Sequence, residues 1–314
     1  MSAEKQLSTL SDFRDEYCMM LDDRPAQNMR PTIAILSVDE EEGRHDDKHD
    51  IKKIRSNDNV GMINVNVHHF DVTSKGANDL QDVQDALLQK LNKLNCDDSI
   101  DGITLQVAPS LRQTMDINKI VSRICVEKDV SCLNPSNFHT CLTASRNSLG
   151  SIQEHHSFVA PYASSVLDFV SEHTGSNLKG KHAVVVGSDV SLGFPVACLL
   201  ERQGCRVTIV NIHGLSTVKD HLSSADVVVS TVGKQNFITT GMNKSNSIFV
   251  DVGSYVANDT EAKIVAAVVN GSVNNARDSN LMQTSTNWIG TRTATNLLQN
   301  VLKSYERKTV VNND

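Results

Sequence analysis

"HAVVVGSDVSLGFPVACLLERQGCRVTIVN", His182 to Asn211, decides the fold. A short apolar run ends at Gly187, an apolar stretch with helical spacing starts near Gly193, and after "RQG" comes a second β-branched run, "RVTIV". Strand, glycine turn, helix and strand in that order make a βαβ unit, whose strands lie parallel because the helix carries the chain back to its starting edge. The first turn of such a unit offers backbone N–H groups and a positive helix end, and glycine is wanted wherever a side chain would block an approaching pyrophosphate. Gly187 ends the strand as that geometry asks. Pro195 suits a first helical turn, where no intrahelical bond needs its missing N–H. The turn holds two glycines, Gly187 and Gly193, in place of the usual three, and on spacing alone it reads equally well as a cofactor loop or a plain tight turn.

Downstream, "ADVVVSTVG" and "SIFVDVGS" are two more short apolar strands closed by glycine, so four strands after Lys181 form an open, doubly wound sheet. Upstream, "PTIAILSV" (Pro31–Val38), "MINVNVHHF" (Met62–Phe70) and "IDGITLQVAPS" read as strands. "DLQDVQDALLQKLNKL" (Asp79–Leu94) reads as a helix from leucines three and four residues apart, and "DINKIVSRIC" (Asp116–Cys125) as another. The polar, aperiodic "SRNSLGSIQEHHSF" marks a crossing between domains, and "YASSVLDFVSEHTG" the connecting helix. Alternating strands and helices define an α/β class, and 314 residues leave room for two domains.

Composition narrows the partners. Thirty Lys and Arg against 37 Asp and Glu give a net charge of −7 without a basic stripe, which argues against nucleic acid. The amino terminus lacks an apolar signal segment, and Glu4 and Asp12 differ from an acid-poor presequence. No apolar run reaches the ~18–20 residues that span a bilayer, so no membrane role is expected. Seven cysteines without a CxxC pair suit free thiols in a reducing compartment, and the expected location is cytoplasmic. Cys132, His139, Cys141, His155 and His156 match no zinc spacing, and no metal is expected. No Gly-x-Ser-x-Gly elbow is present.

"VVVGSDVSLGFPVACLL", "ADVVVSTVGK" and "FVDVGS", with "DGITLQV", "EKDVSCLNPSN", "FVAPYASSV" and "IGTRTATNLLQN", resemble the methylenetetrahydrofolate dehydrogenase/cyclohydrolase family over most of residues 31–302. That family's cofactor turn has the form G-R-S-x-x-V-G-x-P, which makes the missing glycine a shared trait. The resemblance implies a folate-binding catalytic domain over residues 1–165 and a Rossmann domain over 166–290. It also implies a carboxy-terminal helix, 291–306, that packs back on the first domain. A tetrahydrofolate derivative would lie between the domains, with hydride transfer to a nicotinamide and hydrolysis of the methenyl product in members with cyclohydrolase activity. A homodimer through the Rossmann domain is also implied.

Carried over residue by residue, the family's Tyr-x-x-x-Lys pair falls on His49 and Lys53 when Gly61 is the anchor, and on Asp50 for the lysine when no gap is allowed. Lys53 would be the proton carrier and Gln106 the glutamine that hydrogen-bonds lysine and folate. The cofactor set would be Gly187, Ser188, Gly193, Pro195, Asn211, Val232 and Gly233.

The departures lie on the substrate side. Ser131 replaces the aspartate of "KDVDG" that holds the pterin, and Cys132 its glycine. A serine cannot give the charge-assisted, two-point contact of a carboxylate. "PCTP" becomes Ala160–Ala163, and the closing loop "PGGVGPMT" becomes "TNWIGTRT", Thr286–Thr293, keeping Gly290 and Thr293 beside the bulkier Trp288 and Arg292. Ser188 stands where an arginine is frequent, and Ile212 where NADP-dependent members have serine, so NAD is expected over NADP. The expected activity is an NAD-preferring methylenetetrahydrofolate dehydrogenase, with cyclohydrolase activity depending on Lys53. The alternative is a catalytically degenerate member that serves as a nucleotide-binding or regulatory module.

Overall fold

In the computed structural model, the described residues are 30–40, 63–72, 77–108, 111, 114–137, 158–174, 177–188, 192–211, 215–232, 238, 242, 244, 247–252, 254–256, 262–264 and 279–311. Strands β1 (Thr32–Glu40), β2 (Asn64–Val72) and β3 (Gly102–Val107) form a parallel sheet in the order β2-β1-β3. The central strand is a continuous apolar run because both its faces are covered. Ala34, Leu36 and Val38 pack with Leu87, Leu91 and Leu94 of helix α1 (Ala77–Asn95), while Ile33 and Ile35 face the opposite way. The end of α1 is closed by buried Lys128, whose Nζ donates to the carbonyls of Leu94, Asn95 and Asp97 at 3.0, 2.8 and 2.8 Å. This ammonium satisfies carbonyls that a helix end leaves without intrahelical donors.

The second sheet is parallel too: β4 (His182–Val186), β5 (Arg206–Val210), β6 (Val227–Ser230) and β7 (Ile248–Asp251), in the order β5-β4-β6-β7. Helix α3 (Pro161–Thr174) and helix α4 (Gly193–Arg202) contribute to the core with Ala183, Val185, Val227 and Val229. Helix α5 (Leu215–Leu222) lies with Val184, Val186 and Val228 on the other side. The expected α/β class with a doubly wound parallel sheet holds. Ile33 and Ile35 of the first sheet belong to the same apolar core as Ala183 and Val185 of the second, joined through Phe158, α3 and the last helix. A short antiparallel pair, β8 (Ser254–Val256) and β9 (Ala262–Ile264), follows the second sheet.

Two sequence expectations change. The helix expected over Asp116–Cys125 is one short helix, α2 (Ile117–Val121). Asn134 Nδ2 takes the carbonyl of Ile124 at 2.8 Å, holding the chain in a turn where the helix would have continued. The last helix, α6 (Ser279–Val311), is longer than 291–306 and includes Thr286–Thr293, where the resemblance implied a closing loop. With no proline and a single glycine over these 33 residues, nothing in the segment breaks helical hydrogen bonding. Among the described residues, no helix is long and apolar enough to cross a membrane.

Candidate functional site

The carboxyl ends of the strands in the second sheet converge on the glycine turn. Gly187 N donates to Val210 O at 2.9 Å, and Thr231 N to Val186 O at 2.8 Å, so the ends of β4, β5 and β6 are tied together. The chain runs from β4 outward to β5 and then back across to β6. This makes the gap between β4 and β6 the topological switch point, where open α/β sheets bind ligands. Gly187 has a φ of +109°, and a Cβ there would run into Thr231 Oγ1. A Cβ on Gly193 would meet the carbonyl oxygen of Gly187. Both glycines are therefore required by the turn itself, which presses strand end and helix start into backbone contact.

No side chain caps α4 at Leu192, and Pro195 is buried in its first turn. Asn211, exposed just beyond β5, donates from Nδ2 to Ser188 Oγ at 3.2 Å, so two predicted cofactor residues meet. Val232 lies just past β6 and packs against the apolar cluster of Val184 and Val186. A strand end and a helix start held in backbone contact by two glycines, at the switch point of a parallel sheet, fit the approach of a pyrophosphate. Gly233 lies outside the described residues, as do His49 and Lys53.

The second half of the site lies on the first sheet. Parallel register places Ile33, Ile35, Ser37 and Asp39 of β1 on one face, with Val65, Val67, His69 and Asp71 of β2 and Thr104 and Gln106 of β3. This face is apolar at its amino-terminal half and becomes polar toward the carboxyl ends. Ser37 and Asp39 are buried, and Ser37 Oγ donates to Asp39 Oδ2 at 3.0 Å. Gln106 is half-buried at the level of Ser37, and no hydrogen bond among the described residues engages its amide.

Beside β3, the segment Lys128–Asn137 is knotted around Asp129. Ile103 N donates to Lys128 O, and the wholly buried Asp129 carboxylate accepts from Leu133 N, Asn134 N and Asn137 Nδ2 at 3.0, 2.8 and 2.8 Å. Burial pushes the Asp129 carboxyl above its ordinary range despite these three donors. Cys132 stands at φ +56°, the left-handed region that favours the glycine which the resemblance places there. The knot holds Ser131 so that its Oγ lies 2.6 Å from Thr104 Oγ1. Ser131 and Gln106 are expected site residues from the sequence, and Thr104, which touches Ser131, is not among them. Its signal was the strand period, which puts Thr104 on the same face as Gln106.

Gly290 and Thr293 sit within α6, and Thr293 Oγ1 donates to Ser165 Oγ of α3 at 3.2 Å. Arg292 Nε donates to Asp168 Oδ2 at 2.9 Å, so its charge is paired across the two helices.

The comparisons agree with this geometry. Residues 161–309 match the profile for the tetrahydrofolate dehydrogenase/cyclohydrolase NAD(P)-binding domain. The bifunctional protein FolD of Macrococcus caseolyticus is 27% identical over 298 residues, 95% of each chain. FolD of Staphylococcus haemolyticus is 30% identical over 80% of this chain and 78% of its own, and that of a Janthinobacterium species 33% over 71% and 73%. Among solved structures, the Trypanosoma brucei N5,N10-methylenetetrahydrofolate dehydrogenase-cyclohydrolase, complexed with NADP and an inhibitor, superposes with a TM-score of 0.71 at 21% identity, over 98% of this chain and 97% of its own. The NAD-dependent 5,10-methylenetetrahydrofolate dehydrogenase of Saccharomyces cerevisiae gives 0.66 at 16%, over 98% and 96%. A two-domain α/β protein with a glycine turn at the switch point of its second sheet and a polar strand-end face on its first is the class that fold and site define. The chain belongs to the tetrahydrofolate dehydrogenase/cyclohydrolase family.

Proposed function

We propose that this protein is an NAD-preferring methylenetetrahydrofolate dehydrogenase in one-carbon metabolism, with a cyclohydrolase step carried by Lys53. Residues 1–165, with the carboxy-terminal helix, would form the folate-binding domain and 166–290 the cofactor domain. The observation that carries this reading is the glycine turn pressed against Thr231 at the switch point, with Asn211 held on Ser188. Gly187, Gly193 and Pro195 shape a backbone surface for a pyrophosphate, and Asn211 offers a neutral group to a ribose hydroxyl. The cation and hydroxyl that would compensate a 2′-phosphate are replaced by Ser188 and Ile212, which favours NAD.

When bound, the nicotinamide supplies the hydride acceptor. The chain's own task is orientation in a dry cleft and the movement of one proton. Gln106 would orient the Lys53 amine without adding charge, and a cleft screened from water lowers an amine's pKa toward the working range of a proton carrier. His49, Ser131, Gly290 and Thr293 would line the folate.

The test is spectrophotometric: NADH formation from methylene-tetrahydrofolate is expected, faster than NADPH formation. Lys53→Met should lower activity ~100-fold or more, the usual size of a general acid–base contribution, while the neighbouring Lys52→Met changes little. No NADH at protein concentrations where FolD enzymes turn over would reject dehydrogenase activity. A second reading, a degenerate member that binds nucleotide alone, is favoured by the lost carboxylate at Ser131 and the helix over Thr286–Thr293. NAD binding without folate binding in calorimetry would select it.

A further inference from the structure

We propose that Thr231 is a positioning residue of the nucleotide turn: its hydroxyl holds the Val186–Gly187 peptide in the conformation from which the turn receives a pyrophosphate. The proposal rests on the nucleotide reading above. Thr231 is the first residue beyond β6 and Gly187 the first beyond β4, and the parallel register of the two strands sets them side by side across the switch point. Two donors from Thr231 meet the carbonyl oxygen of Val186, the backbone N–H at 2.8 Å and Oγ1 at 3.3 Å. At the other end of the same peptide, Gly187 N donates to Val210 O at 2.9 Å. The peptide is thus held toward β6 by Thr231 and toward β5 by Val210.

The N–H bond from Thr231 continues the β4–β6 ladder, and any residue but proline would make it at this place. The hydroxyl is what this side chain adds. Oγ1 closes over the α-carbon of Gly187 on the side where another residue would carry its Cβ, while the Gly187 carbonyl lies against Gly193. Glycine at φ +109° has a wide choice of backbone conformations, so a contact has to select one of them. Thr231 supplies that contact at the most permissive residue of the turn.

Such selection bears on affinity. A ligand binds only those molecules whose turn already has, or can be brought to, the receiving conformation, and its apparent affinity falls with the fraction that does. The place also asks for an oxygen. A methyl group there is bulkier, has no hydrogen bond to give Val186, and would press Gly187 away from its position.

The experiment combines calorimetric titration of the full chain by NAD with thermal midpoints for three variants. Thr231→Ser keeps both Cβ and the oxygen and should bind NAD within about twofold of the wild type, while loss of the β-branched methyl lowers its midpoint. Thr231→Val keeps the branching, and with it the midpoint, but should weaken NAD about fivefold or more, the size of one hydrogen bond. Thr231→Ala lacks both groups and should weaken NAD at least as much. In turnover, the loss in Thr231→Val should fall on KM for NAD, with kcat at saturating NAD unchanged, because the clamp sets binding and not chemistry. Affinity then follows the hydroxyl and the midpoint follows the methyl, a crossing that a merely structural residue does not produce. If Thr231→Ala does not fold, the serine and valine variants decide between them. Serine binding NAD more weakly than valine, or both binding it as the wild type does, overturns the assignment and leaves the nucleotide reading intact. A wild type that binds no NAD overturns both.

Discussion

At the residue scale, Asp129 matters more than the sequence suggests. It touches no predicted site residue's side chain, yet its carboxylate organises the loop that presents Ser131 to Thr104. Asp129→Asn would turn an N–H donor toward the backbone N–H groups of Leu133 or Asn134, leaving at least one buried donor without its acceptor. The expected cost is about 1–3 kcal/mol in urea denaturation, together with weaker folate binding. A pH dependence follows from burial, which raises the folded-state pKa above the unfolded value of about 4. Between those two values the folded chain holds the proton more tightly. This contribution is therefore fully present below pH ~4 and lost as pH rises through the folded pKa. Asp129→Asn should erase that acid-side slope. An unchanged slope in the variant would mean that another carboxyl carries it.

At the element scale, α6 is fixed by a row of small polar side chains. Thr293, Asn296, Asn300 and Ser304 recur at three- and four-residue spacing along one side of the helix. Asn296 Nδ2 donates to Ser165 Oγ, and Asn300 Nδ2 to the carbonyls of Val130 and Val159, both at 2.8 Å. Ser304 Oγ donates to Glu127 O, and Lys308 Nζ to Asp101 Oδ1. Val130 precedes Ser131 directly, so this seam reaches the candidate site. Asn300→Ala leaves two buried carbonyls without that donor and should cost about 2–4 kcal/mol. Asn300→Leu should do no better, although it restores apolar volume, and a neutral result for either in thermal denaturation would remove the seam from the account.

The same helix shows where sequence reading ended. The βαβ unit from His182 was legible because period and turn chemistry are local, and β1 because a strand buried on both faces is apolar throughout. The polar seam is unremarkable as composition, since Thr, Asn and Ser at helical spacing look like a solvated face until α3 lies against them. "TNWIGTRT" was aligned with a loop because Gly290 and Thr293 match one, whereas helix formation depends on the prolines and paired glycines that are gone. Thr104 needed only the strand period, but its partner Ser131 is brought to it by a non-local knot. The three-residue strands β8 and β9 carry too few residues for any period to register.

At the scale of the whole molecule, assembly turns on β5. Among the described residues it closes one side of the second sheet and pairs through β4 alone, so its outer edge is a template for another strand. Ile209 on that strand is 39% exposed, one of the two large apolar side chains so exposed among the described residues. The strand carries no proline and only one charged residue, Arg206 at its start, so little discourages pairing in its apolar portion. A second copy placed by a two-fold axis would cover both edges at once, since the same surface serves each partner in such an interface. The protein is therefore expected to be a homodimer. Light scattering should give twice the chain mass of 34.4 kDa at micromolar concentration. Ile209→Lys sets a charge on each copy at that edge and should raise the dissociation constant at least tenfold, without changing NAD affinity, because the turn at Gly187 lies across β4 from the edge. A wild type that scatters as a monomer would reject the dimer. A dimer indifferent to Ile209→Lys would place its interface on another surface.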